Sequence, residues 1–210
     1  VLRYTRRTGT AAERVIKMNQ KTKQMVGVGM LTALVIVLQA LAVGIRFGIF
    51  TITLVLVPIV VGAALYGRFA GAWLGLVFGV VVLITDAGVF LAVNIPGTVI
   101  TCLLKGAAAG FLAGLVYKLL EGKNRTLAVI AAAIVAPVAN TGIFLLGCRL
   151  FFYGTIRGWA EAAGFASAGL FMIVGLVGVN FLVEMAVNLV LSSAIVRIIQ
   201  IGAKTVGVNK

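Results

Sequence analysis

A lysine, a glutamate and several amides sit inside stretches of sequence that are otherwise apolar. Lys105 follows Thr98 and Thr101 at i, i+3 and i+7, so the three share one helix face. Asn180, Glu184 and Asn188 repeat at i, i+4 and i+8 and form a second polar stripe. Asn140 and Thr141 come just after Pro137, which leaves a carbonyl without its helical partner. Asp86 and Asn94 flank the end of another apolar run, and Arg149 closes the run that holds Asn140. A charge at membrane depth costs about 2.5–3.5 kcal/mol or more, so such groups mark a function or pair with one another. This set offers hydrogen-bond donors and acceptors plus one deep cation, which is the chemistry of capturing a small polar solute. The bland alternative is a Lys105–Glu184 ion pair with amides bonded between helices.

The elements that must position these groups are membrane-spanning helices. The 210 residues are 62% hydrophobic and 11% charged, with a mean hydropathy of +1.18. Soluble domains run at about 45–50% apolar and about 25% charged. The expected fold is an all-α integral membrane protein, a bundle of six transmembrane helices. Runs long enough to cross lie near 25–45, 49–66, 69–92, 97–120, 126–150 and 169–200. YGRFAG makes a tight turn around Arg68 between the second and third, and 151–168 holds a short interfacial helix. The chain divides into a basic, disordered leader (1–20), the transmembrane domain (21–203) and a cytoplasmic tail (204–210). Met18 reads as a natural start.

Basic residues set the orientation. With six alternating spans and both termini in the cytoplasm, fourteen Lys and Arg fall inside and Arg46, Arg149 and Arg157 outside, as the positive-inside rule requires. The net charge of +13 thus faces anionic headgroups of the lipid bilayer and not nucleic acid. No histidine is present, which excludes the usual base or metal ligand of an intramembrane protease. No enzyme activity and no metal are expected.

Small residues recur at four-residue steps, Gly71, Gly75 and Gly79 in the third run and Gly106, Gly110 and Gly114 in the fourth. Without a hydrophobic force between helices in lipid, such steps let backbones approach closely. Gly29 and Ala33 form a similar step in the first run.

The segment LVLVPIVVGAALYGRFAGAWLGLVFGVVV, with LLKGAAAGFLAGLVYKLL and APVANTGIFLLGCRLFF, resembles the second to fifth helices of substrate-binding (S) components of energy-coupling factor (ECF) vitamin transporters. The resemblance covers residues 20–200. It implies a vitamin pocket near the outer face of a bacterial cell membrane, here with Asn94, Thr101, Lys105, Asn140, Thr141, Arg149, Asn180, Glu184 and Asn188 as substrate-binding residues. It implies docking on a membrane coupling subunit driven by two ATPase subunits, with Gly29 and Ala33 at the place of the family's small-residue contact motif. No glycine-rich loop ending in Gly-Lys-Ser/Thr occurs, so ATP falls to the partners and no cofactor to this chain. Deep cations favour an acidic vitamin, pantothenate first, with riboflavin open. Sparse aromatics on pocket-facing positions speak against a large flat ring. The rival reading is a free-standing secondary transporter or channel for a small solute.

Overall fold

The structure is a computed structural model that describes residues 11–42, 46–47, 50–51 and 54–206. Five helical stretches among them are long and apolar enough to cross a bilayer: Gln20–Ala42, Arg68–Thr85, Ile95–Leu120, Arg125–Phe151 and Ala168–Ile199. They belong to α1 (Ala11–Ala42), α3 (Arg68–Thr85), α5 (Ile95–Leu120), α6 (Arg125–Phe151) and a final helix described below. The first helix takes in residues 11–20 of the leader expected at 1–20; residues 1–10 and 207–210 lie outside the described set.

The second expected span is a long helix only in part. The chain pairs β1 (Arg46–Phe47) with β2 (Phe50–Thr51) antiparallel, then forms α2 (Leu56–Tyr66), 11 residues long, which runs back along α1 until Tyr66 reaches Gly27. At 1.5 Å per residue α2 spans about 16 Å, roughly half a hydrocarbon core. Pro58 stands at the third position of α2, in the first turn, where its missing N–H removes no intrahelical bond. Among the described residues the bundle therefore holds five long helices and one short one.

Gly67 alone separates α2 from α3, with φ +92°, a conformation that L side chains avoid. The interfacial helix expected in 151–168 is α7 (Tyr153–Ala162), with an exposed Arg157–Glu161 ion pair at 3.0 Å. Before it, α4 (Gly88–Leu91) makes one turn between α3 and α5. The last crossing runs through α8 (Ala168–Leu170), a π-helical stretch (Phe171–Gly178) and α9 (Val179–Val206).

The frame is the antiparallel pair of α3 and α5. A Cβ added at Gly71 would strike the Gly110 carbonyl, one at Gly75 that of Gly106, and one at Gly79 that of Cys102. Each residue number on one helix rises as its partner's falls, so backbones touch along one continuous seam. The two glycine ladders read from sequence are thus the two halves of one contact. Gly114 ends it against the backbone of Arg68. On the other side of α5, Ala128, Ala132 and Ala136 of α6, all fully buried, pack with Val60, Ala113, Tyr117, Ile195 and Ile199. At the opposite end Phe90, Cys148, Phe152, Ile156, Met172 and Leu176 make a second core.

Candidate functional site

The glycine seam brings α3 and α5 so close that side chains beside it must point sideways, into the space between them and the remaining helices. There the chain encloses a cavity of about 90 Å³. The floor and walls come from seven parts of the chain. Gln39 comes from α1, Phe78 and Val82 from α3, and Asp86 and Phe90 from the α3–α5 connection. Thr98, Thr101, Cys102 and Lys105 line it from α5, Asn140 and Phe144 from α6, and Asn180 and Glu184 from α9, with Phe152 at the α6–α7 junction.

Lys105 has its ammonium between two phenyl rings, 5.6 Å from the Phe78 centroid and 5.4 Å from that of Phe144. The negative ring faces hold the cation in place without cancelling its charge. Among the described residues Lys105 and Glu184 form no direct ion pair, so the expected bland pairing of these two is absent. Glu184 is 2% exposed and lies beside the Asn180 side chain.

Five wall residues carry a buried polar atom that meets no partner: Gln39 Oε1, Thr101 Oγ1, Asn140 Oδ1, Asn180 Oδ1 and Glu184 Oε2. Native interiors leave few such atoms, and each one calls for an explanation. Here they converge on one space, and four of the five are acceptors. The arrangement suits a solute with several hydroxyl or N–H donors and an anionic group for Lys105.

Aromatic side chains close the end near α4 and α7. Phe90 stands edge-to-face against Phe152 at 5.1 Å, Phe144 at 5.6 Å and Trp159 at 5.8 Å between centroids. The expectation of a wall poor in aromatics is therefore wrong, since Phe78, Phe90, Phe144 and Phe152 all line the cavity. In a chain where phenylalanines also face lipid, sequence could not say which turned inward.

Of the nine candidate binding residues, Thr101, Lys105, Asn140, Asn180 and Glu184 meet in the wall. The other four do not. Asn94 is the N-cap of α5, its Oδ1 accepting from the Gly97 amide at 2.9 Å. Thr141 is one residue past Asn140 and so on another face, beside an apolar groove with Val138, Leu145 and Val177. Arg149 is exposed, its guanidinium 4.2 Å from the Tyr153 ring centroid. Asn188 is fully buried one turn deeper than Glu184, donating to the Glu184 carbonyl at 2.8 Å. Gln39 was missed: a lone amide in an apolar helix has no periodic partner to announce it. Arg46 has no described side chain.

The cap and the cavity can be separated by experiment. Asn94→Ala is expected to cost about 1 kcal/mol, the usual worth of an N-cap. Thermal unfolding in detergent would show the loss, while solute affinity stays within twofold of wild type.

Gly29 and Ala33 lie exposed on α1, and nothing stands within 4 Å of a Cβ at Gly29. Beside them Trp73 Nε1 donates to Thr32 Oγ1 at 3.3 Å.

Residues 23–196 match the family model described as "ECF transporter, substrate-specific component". No curated protein and no solved structure matches the chain.

Proposed function

The chain belongs to the family of ECF transporter substrate-specific components, and from that premise we propose that its cavity captures a compact acidic vitamin, with pantothenate the leading candidate. The observation that carries this reading is Lys105, a cation held between two rings and facing a ring of unpartnered acceptors. Pantothenate offers one carboxylate for the ammonium, and two hydroxyls and an amide N–H for the acceptors.

The cavity opens to the cell exterior in this reading. It lies at the end of the bundle marked by Ala42, Asp86 and Phe152, whereas Lys21, Lys23, Arg68, Lys118, Lys123, Arg125 and Arg197 gather at the other. Basic loops stay cytoplasmic, which puts both termini inside a bacterial cell. The exposed step at Gly29 and Ala33, beside a groove lined by Met25, Val28, Tyr66 and Trp73, is the surface on which the coupling subunit docks. The two ATPases behind it bind the ATP, and this chain binds no cofactor.

The test is thermal unfolding of the purified protein against a panel of water-soluble vitamins. A ligand at about 1,000 times its Kd adds about 4 kcal/mol to the folded state. Pantothenate is expected to give the largest rise in Tm. A rise with thiamine alone, a cation, would remove the acidic reading.

A further inference from the structure

Along the upper half of α1, Val35, Gln39 and Ala42 stand at i, i+4 and i+7 and are the buried positions. Gln39 is the polar one among them, 1% exposed. Its Nε2 donates to Asp86 Oδ2 at 2.8 Å across 47 residues of sequence. An ionised carboxylate can only accept. The bond therefore fixes which way the amide is turned, nitrogen toward Asp86 and oxygen into the cavity. That oxygen is buried and meets no partner.

Resting on the reading of the cavity as a vitamin site, we propose that Gln39 is a specificity-determining residue, its Oε1 accepting a hydrogen bond from a hydroxyl or N–H of the substrate. Asp86 is the positioning residue that keeps the oxygen, and not the amide nitrogen, aimed at the substrate. A site built this way rejects a molecule that lacks the donor, because the buried oxygen then stays unpaired. It equally disfavours one that presents an acceptor at the same place, since two oxygens would face each other. Selectivity at this point of the wall is thus set by a helix whose sequence carries no polar repeat.

The experiment is equilibrium binding to the full chain in detergent. Its probes are radiolabelled pantothenate and the two analogues that each lack one hydroxyl. Gln39→Met keeps the volume and removes both amide atoms. It is expected to weaken pantothenate about tenfold to a hundredfold, while one deoxy analogue binds variant and wild type alike. Asp86→Asn frees the Gln39 amide to turn. The preference for pantothenate over that analogue should fall about tenfold, a change that a merely structural Asp86 would not produce, since both ligands would then weaken together. If Gln39→Met does not fold, the Asp86→Asn selectivity ratio decides. Wild-type affinity for pantothenate in Gln39→Met, or an unchanged ratio in Asp86→Asn, overturns the proposal and leaves the vitamin site standing. If wild type binds another vitamin of the panel, only the pantothenate assignment falls. The same comparison, run on that vitamin and its analogue lacking one donor, decides in the same way. A wild type that binds no vitamin overturns both.

Discussion

Lys105→Met is expected to weaken pantothenate binding by a hundredfold or more. The side chain keeps its length, and the Phe78 and Phe144 rings that flank it remain. What disappears is the cation facing the cavity, and a carboxylate entering that space would be buried with nothing to replace its water. Removing one partner of a buried, hydrogen-bonded charge pair costs about 2–5 kcal/mol, and each 1.4 kcal/mol is tenfold in Kd. Arg149→Ala is the matched control. Its guanidinium is exposed over Tyr153 and lines no part of the cavity, so affinity should stay within twofold. Isothermal titration of both variants with pantothenate checks the pair. Equal losses would move the anion site to the surface, and full affinity in Lys105→Met would remove the reason for an acidic ligand.

Gly75→Val is expected to abolish the folded protein, and Gly75→Ala to lower its stability measurably. A Cβ at Gly75 meets the carbonyl of Gly106, and the Gly106 Cβ position in turn meets the carbonyl of Gly75. Backbone atoms cannot rotate out of the way as a side chain can, so the helices must part along the seam. Overpacking a tight core costs about 1–3 kcal/mol even where side chains can give; here the loss should reach or exceed the top of that range for alanine. Gly29→Ala serves as the control, since nothing lies within 4 Å of its Cβ, and its unfolding should match wild type. Thermal unfolding in detergent, followed by size-exclusion chromatography, reads all three. A Gly75→Ala protein as stable as wild type would mean that α3 and α5 do not meet backbone to backbone.

The legible parts of this molecule were those with a period. Gly71, Gly75 and Gly79 announced a helix face, as did Gly106, Gly110 and Gly114, and the structure joins the two. Thr98, Thr101 and Lys105 were placed on one face by spacing, and all three reach the cavity. The same rule would have separated Thr141 from Asn140, since adjacent residues on a helix point about 100° apart. Asn94 was also readable as a cap, standing just before Ile95-Pro96 at a helix start. Arg149 sits where a helix-end arginine turns outward toward the interface. Gln39 carried no signal, because its role comes from Asp86, a contact that only the folded chain creates. The four inward phenylalanines are silent for a different reason. In lipid both faces of a helix are apolar, so hydrophobicity no longer tells inside from outside. The short second helix carries Pro58 in its first turn, a start signal that the sequence offered inside an apolar run.

The seam between α3 and α5 bears on how such a protein can change its cargo. Spacing across the cavity is set by main chain meeting main chain, which every residue type shares, and the wall side chains Phe78, Thr98, Thr101 and Lys105 stand beside that contact. A lineage can therefore exchange wall residues one at a time without disturbing the scaffold that holds them apart. Mutational tolerance should divide sharply along α5: positions 106 and 110 locked, positions 98, 101 and 105 free to explore new solutes. Selection for a different substrate would then act on the wall and leave the ladder alone.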